Sequence, residues 1–189
     1  MKEITLAILA GGKSSRMNYH NKALLKYKEK KFIEYIIGAG QDFKEIVISS
    51  NNNQDYKEFG LRVINDIYKD KGPLSGIHAV LNSTVTDKVL CVACDMPFIT
   101  KDTLNYIADI NEEHEIIIPK VNDRLQPLCA VYSKGITAGL ERALINNENK
   151  MQQLIKSFDY FIVNEDKFNL VEFSNINTPE DYRKMEENK

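Results

Sequence analysis

Ile4-Thr5-Leu6-Ala7-Ile8-Leu9-Ala10-Gly11-Gly12-Lys13-Ser14-Ser15-Arg16-Met17 decides the fold. Its first half is a short, nearly continuous apolar run, the pattern of a strand buried on both faces. It stops at two glycines and then turns polar and basic. Outward from this stretch the alternation repeats. Glu45 to Ser50, Leu61 to Ile64 and Lys88 to Cys94 read as further buried strands. Phe32 to Ile37, and Leu74, Ile77, His78 and Leu81, recur at helical spacing between them. Buried strands that alternate with helices predict an α/β protein with a mostly parallel, Rossmann-like sheet covered by helices on both faces.

The later half is more mixed. Glu115 to Ile118, Leu125 to Tyr132, Tyr160 to Val163 and Val171 to Phe173 are strand candidates. Ser133 to Asn146 and Met151 to Phe158 read as helices, Thr100 as the N-cap of another, and Thr178-Pro179-Glu180 as the start of a last one. Strands here need not run parallel, so the sheet is expected to have a mixed edge. No repeat, linker or low-complexity tract divides residues 1–189, and one domain is expected over that span.

Composition limits the functions open to the chain. Lys plus Arg is 25 and Asp plus Glu is 27, a net charge of −2, which argues against a nucleic-acid binder. Hydrophobic residues are 43 % and charged residues 28 %, ordinary for a globular protein. No apolar run reaches the roughly 20 residues of a membrane helix, and Met1-Lys2-Glu3-Ile4 does not open a secretory signal. A cytoplasmic protein without membrane or nucleic-acid partners is expected. Cys91, Cys94 and Cys129 make a poor disulfide framework. Cys91 and Cys94 are three apart on one strand, so they face opposite sides of the sheet and cannot grip one metal.

Three stretches carry chemistry. In the first, Gly11 and Gly12 let backbone N–H groups approach an anion, Ser14 and Ser15 add hydroxyls, and Arg16 and Lys22 add positive charge. The segment reads as a polyphosphate cradle, with neither the spacing of a Walker A loop nor that of G-x-G-x-x-G. In the second, Cys94-Asp95-Met96-Pro97 puts a carboxylate just past a buried strand, where it would face the same crevice. Asp95 is a hard oxygen ligand suited to magnesium, or else the cap of the Pro turn. In the third, Asn65-Asp66 and Gly72-Pro73-Leu74-Ser75-Gly76 could let a flat base lie against the backbone, read by main-chain groups and Asp66, or could be a loop and helix start only.

These stretches together resemble the signature of the molybdenum cofactor guanylyltransferases, small nucleotidyltransferases with a Rossmann-like sheet. The resemblance runs from Leu9-Ala10-Gly11-Gly12 and Lys22 through Asn65-Asp66, Gly72 to Gly76, Cys94 to Pro97 and Gln126-Pro127 to Asn175-Ile176-Asn177-Thr178-Pro179-Glu180. It implies that Leu9, Ala10, Gly11, Gly12, Lys22, Asn51, Asp66 and Asp95 contact GTP, with Asp95 also on magnesium. Gly72, Gly76, Asn175 and Asn177 fall on positions associated with nucleotide or pterin binding. Two residues depart from the family pattern: Asn18 stands where Gly is usual, and Lys150 is the nearest match to a usual Arg on the pterin side.

The implied reaction is GMP transfer from GTP to the terminal phosphate of molybdopterin, with release of pyrophosphate. That phosphate is already ionised, so no general base is expected, and His20, His78 and His114 are read as structural. Lys22, Arg16 and Asp95 are the candidate catalytic residues. The resemblance leaves room for transient protein partners of cofactor delivery. The alternatives are a related cytidylyltransferase, whose signature usually has Leu-Ala-Ala-Gly in place of Leu9-Ala10-Gly11-Gly12, and a non-catalytic nucleotide-binding regulator.

Overall fold

The structure is a computed structural model that describes residues 1–11, 21–148 and 150–187. Its strands are β1 (Lys2–Leu9), β2 (Lys26–Tyr27), β3 (Lys30–Lys31), β4 (Phe43–Ser49), β5 (Arg62–Ile64), β6 (Lys88–Ala93), β7 (Ile116–Val121), β8 (Arg124–Leu125), β9 (Cys129–Ser133) and β10 (Tyr160–Asn164). Its helices are α1 (Phe32–Ala39), α2 (Pro73–Ser83), α3 (Lys101–Asp109), α4 (Thr137–Ile145), α5 (Met151–Ile155) and α6 (Pro179–Glu187). The main sheet has the order β10-β7-β9-β6-β1-β4-β5, with β8 attached to β7; β2 and β3 form a small separate hairpin.

β1 lies between β4 and β6 and runs parallel to both, and β5 runs parallel to β4. The chain runs outward from β1 to β4 and β5 and then crosses back to β6 on the other side of β1, and this change of direction opens a crevice at the C-terminal ends of these strands. The two-residue period of β1 fixes the core. Leu6 and Ile8 pack on one face with Ile33 and Ile36 of α1 and Leu104 and Ile107 of α3. Ala7 and Leu9 pack on the other with Ile77 and Val80 of α2 and Leu140 and Leu144 of α4. Cys91 joins the second core, whereas Cys94 packs against the first, as their spacing requires. Burial pushes the Cys94 and Cys129 thiols up to about 12, which makes them inert packing groups.

The structure revises several expectations in the second half. The antiparallel pairing is not confined to the sheet edge: besides β8, which pairs antiparallel with β7, β9 lies inside the sheet, antiparallel to both β6 and β7. Leu125 to Tyr132 is not one strand. Gln126-Pro127-Leu128 turns between β8 and β9, with Cys129 N–H donating to the Gln126 carbonyl at 2.9 Å, and Pro127 has no N–H to offer a ladder. The β7–β8 hairpin closes through Asn122 (φ 49°) and Asp123 (φ 59°), a pair suited to a turn with both central residues left-handed. Val171 to Phe173 is not a strand either; Leu170–Phe173 is a 3-10 turn. There Glu172 is buried and accepts from both the N–H (3.0 Å) and the hydroxyl (2.9 Å) of Thr100. Thr100 in turn caps α3, as expected. The reading of Ser133 to Asn146 as one helix is refined to a 3-10 turn, Lys134–Ile136, that leads into α4. Among the described residues no helix is long and apolar enough to cross a membrane.

Candidate functional site

The C-terminal ends of β1, β4, β5 and β6 surround a cleft of about 840 Å³, a size common for small-molecule sites. Main-chain bonds that continue the ladders beyond the strands hold its floor. Ala10 N–H donates to Ser49 O (2.9 Å), Ser50 N–H to Ile64 O (3.0 Å) and Cys94 N–H to Leu9 O (3.1 Å). Leu9, Ala10, Gly11, Lys22, Asn51, Asp66, Gly72, Gly76 and Asp95 all line this one cleft. Gly12 to Met17 of the cradle, Asn18 and His20 lie outside the described residues.

At one end, three separate segments meet. Lys22 begins the 3-10 turn Lys22–Leu24, which Asn21 caps by accepting from Ala23 N–H at 3.2 Å. Lys22 Nζ lies 2.7 Å from Asn177 Oδ1 and 3.5 Å from Asp95 Oδ2. Asn177 is held there by the start of α6. Asp181 accepts from the N–H groups of Asn177 (3.0 Å) and Thr178 (2.9 Å), and Thr178 Oγ1 accepts from Asp181 N–H (3.1 Å). Ile176 N–H donates to the Asp95 carbonyl at 2.9 Å and ties this tail to the turn after β6. Burial pushes the Asp95 carboxyl above its ordinary value, and Lys22 opposes that shift. Among the described residues no three His, Cys, Asp or Glu side chains gather into a metal site. A lone carboxylate in a cleft suits magnesium, which keeps waters and shares phosphate oxygens, and does not suit zinc, which takes a closed protein shell.

At the other end, the loops after β4 and β5 bring Asn51 against Asp66. The Asn51 amide donates to Asp66 Oδ2 at 2.8 Å, and its oxygen accepts from Asp66 N–H at 2.9 Å. Burial raises the Asp66 carboxyl, the Asn51 bond lowers it, and Asp70 nearby raises it further. Asn65 ties the same loops, donating to Ser50 O (2.9 Å) and Asn53 Oδ1 (3.0 Å). Gly72 precedes α2 at φ 70°, ψ −162°, a conformation that a Cβ would strain, and Pro73 opens the helix. Gly76 lets α2 approach β4: a Cβ there would stand 2.5 Å from Ser49 Oγ.

Two expected pterin-side residues are elsewhere. Asn175 is exposed and is not among the cleft-lining residues, and Lys150 lines a separate cavity of about 380 Å³ along α5 and the loop before it. Conversely, Asn21, Asp55, Asp70 and Leu128 line the cleft without having been singled out in the sequence. Asn21 had a usable signal, a capping residue type directly before Lys22. His78 is buried, with Nδ1 unpartnered and its ring 5.4 Å from Tyr68; burial lowers its pKa and keeps it neutral, in keeping with a structural histidine.

Comparison with known proteins agrees with this geometry. The MobA-like NTP transferase domain family matches residues 6–161. A protein of Clostridium perfringens (strain 13 / Type A), named a probable molybdenum cofactor guanylyltransferase, is 53 % identical over 95 % of this chain and 94 % of its own. One from Pelotomaculum thermopropionicum with the same name is 37 % identical over 96 % and 91 %. The crystal structure of molybdopterin-guanine dinucleotide biosynthesis protein A from Archaeoglobus fulgidus superposes with a TM-score of 0.84 at 26 % identity, covering 97 % of each chain. Matched in sequence and in fold over nearly its whole length, this chain is a nucleotidyltransferase that belongs to the MobA-like family, among its molybdenum cofactor guanylyltransferases.

Proposed function

We propose that the chain binds GTP across this cleft and transfers GMP to the terminal phosphate of molybdopterin, acting as one unit in the cytoplasm. The supporting observation is the division of the cleft into a cationic end at Lys22 and an acceptor end at Asp66. β5 and β6 are three strand spacings apart, about 14 Å at the usual ~4.8 Å step, a span suited to an extended nucleoside triphosphate. Asp66, oriented by Asn51, accepts the N1–H and 2-amino donors of guanine. Lys22, held by Asn177, neutralises the triphosphate, and Arg16 is proposed to join it. Gly11 and the N-terminal end of α2, opened by Gly72, bring backbone close to the ligand.

A phosphate oxygen of molybdopterin forms the new bond to the α-phosphorus, and the bond from that phosphorus to the bridging oxygen breaks, so pyrophosphate leaves with the electron pair. Both groups are ionised at neutral pH, so catalysis is alignment and charge neutralisation. Asp95 would hold magnesium, which when bound neutralises phosphate charge. Lys150 and Asn175 remain proposals for the pterin side, as do transient partners in cofactor delivery. The test is the initial rate of pyrophosphate release with molybdopterin, magnesium and each nucleoside triphosphate. GTP is expected to be preferred. CTP used equally well or better would replace the reading with a cytidylyltransferase, and GTP binding without pyrophosphate release would replace it with a non-catalytic binder.

A further inference from the structure

The 3-10 segment Asn53–Phe59 carries a tyrosine that none of these steps uses. Tyr56 is 0 % exposed. Burial pushes its phenol up to about 12, so it stays neutral and keeps its proton throughout the working pH range. Its hydroxyl meets the chain at two points: where it leaves β1, at Ala10, and where it arrives at Lys22, through Asn21. Asn21 Nδ2 donates to the hydroxyl at 2.9 Å. Among the described residues the hydroxyl proton has two acceptors within hydrogen-bond distance, Ala10 O at 3.2 Å and Asn21 Oδ1 at 3.1 Å, and the Ser50 hydroxyl also interacts with the phenol. Asn21 Oδ1 already accepts from Ala23 N–H at 3.2 Å, so sending the phenol proton to Ala10 O gives each of these two acceptors a donor. A second donor hydrogen of the Asn21 amide goes to Asp55 Oδ2 at 2.9 Å, one residue before Tyr56.

We propose that Tyr56 is a positioning residue: its hydroxyl clasps Ala10 to Asn21, joins the two ends of the glycine segment, and so sets where Lys22 enters the cleft. The sequence neighbourhood gives the mechanism. Asn21 caps the turn that begins with Lys22, so fixing Asn21 fixes the backbone from which the ammonium reaches Asn177 and Asp95. The inference rests on the proposed role of Lys22 toward triphosphate.

The test measures kcat/KM for GTP, by pyrophosphate release, in four proteins: the wild type, Tyr56→Phe, Lys22→Ala and the double variant. Phenylalanine fills the same cavity, and the Ala10 carbonyl borders the open cleft, so the melting temperature is a control. Tyr56→Phe is expected to lower kcat/KM about tenfold, the loss of one hydrogen bond, and to cause no further loss in the Lys22→Ala background. An equal fractional loss in both backgrounds means a structural role only and overturns the proposal. So does full activity in Tyr56→Phe alongside a damaged Lys22→Ala, which leaves the functional reading intact. Wild-type activity in Lys22→Ala overturns both. Should Tyr56→Phe fail to fold, Asn21→Ala carries the same comparison: a loss that vanishes in the Lys22→Ala background supports the clasp, and one that persists there overturns it.

Discussion

The two ends of the cleft are built on different principles. At the Lys22 end, three segments distant in sequence deliver one group each, and the cation stands 3.5 Å from the Asp95 carboxylate, a loose pair. At the Asp66 end, the loops of adjacent strands lock Asn51 and Asp66 together: the Asn51 amide donates to the carboxylate at 2.8 Å, and its oxygen accepts from the Asp66 main-chain N–H at 2.9 Å. A loosely paired charge in a cleft remains free to exchange its partner for phosphate. A carboxylate that accepts from a neighbour which also pins its own main chain is oriented before any ligand arrives and loses little entropy on binding. The cationic end should therefore govern turnover, and the locked end should govern which base is accepted.

Breaking the cationic end carries the largest expected effect. Lys22→Ala should lower kcat for GMP transfer roughly 10²–10³-fold, the scale of losing one transition-state charge contact, while thermal unfolding changes little. Normal turnover in that variant would place the phosphates elsewhere. Asp95→Asn keeps the shape and removes the hard anion. It should weaken magnesium activation, so that the metal concentration for half-maximal rate rises at least about tenfold. An unchanged magnesium titration would reduce Asp95 to a turn cap.

Asp66→Asn sharpens the contrast, because its effect should appear in selectivity more than in turnover. A charged acceptor contributes about 1.5–3 kcal/mol to a hydrogen bond, so preference for GTP over CTP should fall about 10- to 100-fold. Competition kinetics with both nucleotides read this ratio. A uniform loss with all nucleotides would instead place Asp66 at the phosphates or the ribose.

The two ends were not equally hard to read in the sequence. Asp66 and Asp95 each follow a buried apolar run, and in a parallel sheet that position alone aims a side chain at the crevice. β1 was legible for the same reason. The direction of β9 was not legible because an apolar strand pattern carries none; the single chain reversal at Asn122-Asp123 turns both β8 and β9 against β7, and Gln126-Pro127 only interrupts that returning arm. Val171-Glu172-Phe173 alternates like a strand, yet Glu172 spends its carboxylate on the Thr100 cap and the segment closes into a turn. Tyr56 sits among polar residues and has no local pattern; its meaning comes from Ala10 and Asn21, which the fold alone brings to it. Lys150 was placed by its likeness to a family arginine, and it lies at a different cavity from Lys22.

Asn51→Ala is the smallest change and the finest probe of the locked end. It removes one donor from the Asp66 carboxylate and leaves the charge in place. At neutral pH the expected cost is the preorganisation alone, about 0.5–1 kcal/mol, or two- to fivefold in kcat/KM for GTP. The pH dependence separates this from a general disturbance. Burial already raises the Asp66 carboxyl, and the Asn51 bond is the influence that lowers it. Removing that donor destabilises the ionised form, so the carboxyl takes up its proton at a higher pH than in the wild type. A protonated Asp66 cannot accept both guanine donors, so the acid limb of kcat/KM for GTP should move to higher pH. The alkaline limb, which Asp66 does not set, should stay where it is. An acid limb that is unmoved while kcat/KM falls at every pH would mean that Asn51 touches the nucleotide itself, and that the paired geometry at this end gives way when the ligand binds.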